Sequence, residues 1–265
     1  LVLPRYRDAT GGFPIGHESI PLGGRTVEVS YYERLLGERV RAILIDCPEL
    51  YGRAELYAVG GVDYPDNAAR FAVLARAALA FAAASPAPPE VIHAHDWQTG
   101  LVPAYLKTRF AGVPGLSDAA TVFTIHNLAY QGLFSPSWMP AVDLPWELFG
   151  IEGVEYWGKV SYLKSGIDLS EMVTTVSPTY AREIQTPEFG FGFDGILRRR
   201  SRHLKGILNG IDIGTWDPAT DKYLPEPYGP ETLDRKAASK RALVEMLGWP
   251  ADPAMLGRPL VGMVS

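Results

Sequence analysis

Three short apolar runs in this chain each end on a cluster of polar side chains, and no other feature constrains the fold as strongly. Val91-Ile-His-Ala94 leads into His95-Asp96-Trp97-Gln98-Thr99-Gly100. Val122-Phe-Thr-Ile125 leads into His126-Asn127, with Tyr130-Gln131-Gly132 close behind. Gly206-Ile-Leu208 leads into Asn209-Gly210 and Asp212. Short aliphatic runs separated by helical patterns describe strands covered on both faces, hence a parallel sheet in an α/β fold. Ligands of open parallel sheets bind outside the carboxyl ends of the strands. The polar clusters therefore mark where chemistry is expected.

The same pattern places strands at residues 1–3, 27–32, 40–45, 91–94, 120–125, 172–176, 206–208 and 260–264. Helices are expected over 66–84, where Asp66 can cap and Pro86, Pro88 and Pro89 follow the end, and over 98–109. Ser177-Pro178 opens another that runs to about Gln185, and a Lys/Arg-rich helix over 232–247 stops at Gly248. Residues 11–24 and 133–157, rich in Gly, Pro and aromatics, read as loops or short irregular helices.

Composition excludes several classes of partner. The formal charge is -5 and the pI near 5.6, so no global basic field attracts nucleic acid or an anionic membrane. No run approaches the roughly 20 apolar residues of a membrane helix; the best, residues 71–84, is shorter and carries Arg76. The single cysteine, Cys47, cannot form an internal disulfide, which suits a reducing, cytoplasmic setting.

Carboxylate, imidazole, carboxamide and indole groups at one sheet edge suit a sugar. Planar polar groups pair with hydroxyls, and an aromatic face packs on the ring's C–H side. Each group also has a plainer reading. Asp96 could only cap the following helix, His126-Asn127 could be a satisfied turn, and Trp97 could be a core anchor. Asn209-Gly210 alone reads as a turn tolerant of positive φ. The basic stretch Arg198–Lys205 reads as a solvated helix end, and Gly190-Phe-Gly-Phe-Asp-Gly195 lacks the strand-to-helix setting of a phosphate loop. His93, His95 and Asp96 lack an evident further ligand, so no metal is expected.

Longer motifs carry a resemblance. His93-Ala-His-Asp-Trp-Gln-Thr-Gly-Leu101, Thr121-Val-Phe-Thr-Ile-His-Asn-Leu-Ala-Tyr-Gln-Gly132 and Val176-Ser-Pro-Thr-Tyr-Ala-Arg-Glu-Ile184 closely resemble bacterial glycogen synthases and plant starch synthases. So do Tyr156-Trp-Gly-Lys-Val-Ser-Tyr-Leu-Lys-Ser-Gly166, Leu208-Asn-Gly-Ile-Asp212 and Trp216-Asp-Pro-Ala-Thr-Asp221. The resemblance covers nearly the whole chain.

It implies a Rossmann-like parallel-sheet domain of a two-domain GT-B glycosyltransferase, cut at both ends. Residues 1–258 would be the N-terminal starch synthase catalytic domain, lacking its first strand and glycine-rich loop. Residues 259–265 would be the first strand of the C-terminal domain, whose remainder would act in cis. The implied reaction is a retaining glucosyl transfer from ADP-glucose to an α-1,4-glucan, without a cofactor. Residue by residue, the family's pattern puts His126 beside the donor glucose as the active-site histidine. Asp96 joins it, and Trp97, Gln98, Asn127 and Asn209 line the glucosyl and acceptor pocket. Tyr130 and Gln131 only shape the loop. Two alternatives stay open: a non-catalytic glucan-binding module, or a related GT-B enzyme with another nucleotide-sugar donor.

Overall fold

A computed structural model describes residues 1–9 and 11–263, in two units, Leu1–Leu208 and Asn209–Ser265. The first unit opens with β1 (Val2–Pro4), β2 (Phe13–Leu22), β3 (Arg25–Leu36) and β4 (Val40–Asp46), in the order β1-β4-β3-β2. Only β1 and β4 run parallel; β4 with β3 and β3 with β2 are antiparallel. This corrects the all-parallel reading of the early runs. A parallel crossover needs a dozen or more residues, and only residues 37–39 separate β3 from β4.

Strand β2 also corrects the loop expected over 11–24. The two-residue connection Gly23-Gly24, with φ 58 and 79, makes a tight hairpin turn into β3. Strand β2 lies at the sheet edge, where Pro14 and Pro21 need no ladder N–H. Only its Ile20 and Leu22 are buried, so its hydrophobic signal is faint.

After α1 (Pro48–Tyr51), a small hairpin of β5 (Ala58–Val59) and β6 (Val62–Asp63) precedes α2 (Asn67–Ala83). The long helix forms as expected, but the Asp66 carboxylate does not cap it. It instead receives Arg53 Nη1 and Nη2 at 2.7 and 2.5 Å. Helix α2 buries alanines together with Phe71, Leu74 and Leu79.

The parallel sheet appears next. Its strands are β7 (Val91–His95), β8 (Ala120–Ile125), β12 (Met172–Thr175) and β13 (Leu204–Gly206), ordered β13-β12-β8-β7 and parallel throughout. Strand β13 starts two residues before the expected one, because its ladder ends with its partner β12 at Thr175. The helix expected over 98–109 divides into a 3-10 turn, Trp97–Thr99, and α3 (Val102–Lys107). Pro103 is the reason: proline is tolerated in a first turn but not inside a helix.

Between β8 and β12, β9 (Leu133–Phe134), β10 (Glu155–Tyr156) and β11 (Lys159–Ser161) form a three-stranded sheet beside the short α4 (Trp138–Ala141). Helix α5 (Tyr162–Leu169) follows. Helix α6 (Pro178–Glu183) starts as read, with Ser177 Oγ accepting the Tyr180 N–H at 2.8 Å, and α7 (Asp194–Arg199) comes after it. Arg198 pairs with Asp194, Arg199 with Asp168, and Arg200 donates to the Ser170 and Glu171 carbonyls. These three arginines of the basic stretch thus act in structural contacts.

The second unit contains α8 (Lys236–Met246) and α9 (Pro253–Leu256). A 3-10 segment, Pro230–Arg235, replaces the first turn of the expected helix, and Gly248 at φ 70 follows its end. Residues 260–263 pair with no strand, unlike the reading, and residues 264–265 lie outside the described residues.

Candidate functional site

The ends of β7 and β8 meet at Asp96. Its backbone N–H donates to the Thr124 carbonyl at 2.9 Å, extending the β7–β8 ladder by one residue. Asp96 then takes φ 55 and ψ −179, a combination nearly confined to glycine that costs an aspartate about 1–3 kcal/mol. The turn aims the carboxylate across the sheet rim: Oδ1 accepts the backbone N–H of His126 at 2.8 Å. No cap bond forms from this side chain, so the helix-cap reading of Asp96 fails.

Beside this pair is a cavity of about 760 Å³. Asp96, Trp97 and Gln98 line one side, Asn127 and residues 129–134 another, and Tyr57, Ala58, Asp63 and Asn67 a third. Trp97 is nine-tenths buried and meets Phe71 edge-on with centroids 4.8 Å apart, so it is a core anchor that also walls the cavity. Gly132 makes that wall possible. At φ 57, a Cβ there would fall 2.7 Å from Trp97 Cε3. Asn127 Oδ1 accepts the Ala129 N–H at 3.0 Å, so the turn reading holds for its oxygen while the residue still lines the cavity. Gln131 shapes the loop as expected: its Nε2 donates to the Phe191 carbonyl at 3.0 Å, tying in the glycine-rich turn.

Tyr57, Asp63 and Asn67 escaped the sequence reading. The available signal was Gly60-Gly61 between two short apolar pairs, a hairpin pattern that sets this lip beside the start of α2. Burial pushes the Tyr57 phenol up, and the neighbouring Gln98 amide opposes that shift. Fully buried Arg70 holds the lip from below. Its Nε donates to the Leu50 carbonyl at 2.7 Å, and its Nη1 to the Leu56 carbonyl at 3.0 Å and to Asn67 Oδ1 at 2.7 Å. Asn67 Nδ2 then donates to the Tyr57 carbonyl at 2.9 Å.

His126 is exposed and lies next to Asp96 rather than in the cavity wall. Its Nε2 is 3.0 Å from His95 Nδ1. The His95 ring stacks on His93 at 4.2 Å, and His93 Nε2 lies 2.6 Å from Thr124 Oγ1. The pKa of His93 is lowered, first by partial withdrawal from water and then by His126. His95 is lowered by the same withdrawal and by both neighbouring imidazoles, against the opposing pull of Asp96. Asn209 belongs to the second unit, where its side chain is exposed. Among the described residues, no group of three or more His, Cys, Asp or Glu is placed to hold a metal ion, and no helix is long and apolar enough to cross a membrane.

The starch synthase catalytic domain family matches residues 1–199. The chain belongs to that family. A glycogen synthase of Anaeromyxobacter dehalogenans (strain 2CP-1 / ATCC BAA-258) is 50% identical over 222 residues, covering 83% of this chain and 46% of the relative. One from Myxococcus xanthus is 43% identical over 280 aligned positions, covering 100% of this chain and 56% of the relative. The catalytic domain of starch synthase IV from Arabidopsis thaliana, solved with ADP and acarbose, superposes with a TM-score of 0.76 at 31% identity. That match covers 93% of this chain and 51% of the other. The chain therefore spans about half the length of the relatives it matches. The mixed α/β fold with a parallel sheet is the one the starch synthase family implies.

Proposed function

We propose that the protein carrying this chain is a retaining glucosyltransferase that elongates an α-1,4-glucan, glycogen or starch, with glucose from ADP-glucose. The observation that carries the reading is the Asp96–His126 contact at the parallel-sheet rim, held by a strained backbone beside a cavity with indole and carboxamide walls. Strain of this kind persists where the surrounding structure enforces it, and it gathers at active sites. Glycogen synthases among the relatives, and the ADP and acarbose held by the Arabidopsis structure, support the same substrates here.

In this reading His126 lies beside the donor glucose and contacts its hydroxyls. Asp96 fixes the His126 backbone, while Trp97, Gln98 and Asn127 receive the glucosyl and acceptor units. The acceptor's 4-hydroxyl attacks C1 on the face from which ADP departs. The C1–phosphate bond breaks, and the leaving phosphate takes the hydroxyl proton. The transition state is oxocarbenium-like, so fixed dipoles around the sugar lower its energy. Residues 1–258 form the N-terminal domain, and residues 259–265 begin a C-terminal domain that acts in cis on the diphosphate. No cofactor takes part, and the reaction belongs to the cytoplasm, in keeping with the single buried Cys47.

The test is to incubate the protein with ADP-glucose and a maltooligosaccharide and follow chain length and anomeric configuration. Growth by α-1,4-linked glucose with release of ADP is expected. Binding of the oligosaccharide without growth would favour a glucan-binding module, and growth only with another nucleotide sugar would reassign the donor.

A further inference from the structure

We propose that His95 is a positioning residue for His126, its Nδ1 holding the Nε2 of His126 and thereby selecting the tautomer and ring orientation offered to a bound sugar. The inference rests on the reading of His126 given above. At 3.0 Å the two nitrogens share one proton, and a neutral imidazole carries only one N–H. If His95 donates, His126 must carry its own proton on Nδ1; if His126 donates, its Nδ1 is a bare acceptor. In either arrangement the tautomer of His126 is tied to that of His95, because the bond made by one ring nitrogen decides the state of the other.

His95 is itself held in place. Residues 93 and 95 share one face of β7, and their rings stack at 4.2 Å with an interplanar angle of 27°. His93 is anchored through Thr124 Oγ1 at 2.6 Å, and that hydroxyl meets Thr174 Oγ1 at 2.6 Å inside the sheet. The His95 carbonyl also accepts from the Thr99 hydroxyl at 2.7 Å. A chain of contacts thus runs from the buried β8–β12 ladder to the exposed imidazole of His126. The titratable groups around His95 are His93, His126 and Asp96. Partial withdrawal from water and the two neighbouring imidazoles lower the His95 pKa, which favours the neutral ring this bond uses.

The test uses the full protein with ring-labelled histidine. His95→Phe keeps a flat ring against His93 and removes the nitrogen; His95→Asn returns a polar atom near the Nδ1 position. Long-range proton–nitrogen NMR is expected to show one tautomer of His126 in the parent and a mixture in His95→Phe. Loss of a hydrogen bond of ordinary strength predicts a fall in kcat of about tenfold in His95→Phe, with KM for ADP-glucose within about twofold. His95→Asn should recover much of that loss. If His95→Phe does not fold, His95→Leu serves as the nitrogen-free variant. Unchanged His126 nitrogen shifts in the nitrogen-free variant would overturn the proposal, as would an unchanged kcat while His126→Ala is inactive. Full transfer by His126→Ala, alongside a scrambled tautomer in His95→Phe, would instead remove the catalytic reading of His126 and leave the contact standing.

Discussion

The backbone N–H of His126 donates to Asp96 Oδ1 at 2.8 Å, and Asp96 adopts φ 55 to receive it. Two opposing energies meet at this residue. The hydrogen bond contributes about 0.5–1.5 kcal/mol, and the backbone conformation costs about 1–3 kcal/mol. Asp96→Ala loses the bond and keeps the strain, whereas Asp96→Gly loses both. Chemical denaturation should therefore find Asp96→Gly more stable than Asp96→Ala by about 1–3 kcal/mol, with both impaired in transfer. Equal stabilities would mean that the strain is not real.

Gly132→Ala tests the cavity wall. The new methyl would meet the Trp97 ring at 2.7 Å from a backbone already at φ 57. A loss of about 1–3 kcal/mol in unfolding free energy is expected, with weaker maltooligosaccharide binding by calorimetry. An unperturbed affinity would remove Trp97 from the binding surface.

Arg70→Met tests the support beneath the Tyr57 lip. Methionine replaces the buried bulk but leaves the Leu50 and Leu56 carbonyls and Asn67 Oδ1 without their donor. Denaturant titration should show a loss of about 3 kcal/mol. Stability within about 0.5 kcal/mol of the parent would show that water replaces the guanidinium at little cost.

Acidification should act in two windows. The lowered pKa values of His93 and His95 mean that the unfolded chain binds more protons just below the ordinary histidine value of about 6.5. Stability from these groups is complete above that value and declines as pH falls toward the lowered ones. Asp66 and Glu171 act lower. Burial raises both, but Arg53 at Asp66 and the Thr121 hydroxyl and N–H at Glu171 outweigh it. Their contribution is present above the ordinary carboxylate range and fades below it. Thermal melts of a His93→Phe/His95→Asn double variant should be flatter than the parent between about pH 7 and 5.5, yet fall alike below about pH 4. A parent that is already flat in the upper window contradicts the lowered imidazoles.

The parallel half of the fold was legible because β7, β8 and β12 are aliphatic runs with polar ends. Strand β2 was not, since an edge strand with only two buried side chains and two prolines carries the composition of a loop. The site divides along similar lines. Asp96, Trp97, Gln98 and Asn127 lie close to strand ends, where local sequence reveals them, and they line one cavity. The lip bearing Tyr57 depends on Arg70, whose partners lie 14 and 20 residues away, and no local pattern reports such contacts. Nor could spacing show that Asp96 bonds a backbone 30 residues downstream rather than its own helix.

The most direct test of the central claim is glucosyl transfer from labelled ADP-glucose to a maltooligosaccharide by the parent protein and His126→Ala, with circular dichroism and melting temperature recorded for both. His126 is exposed at the sheet rim, so its loss should leave fold and melting temperature nearly unchanged. Turnover should nonetheless fall by about two to four orders of magnitude. A folded His126→Ala that transfers glucose at the parent rate would contradict it.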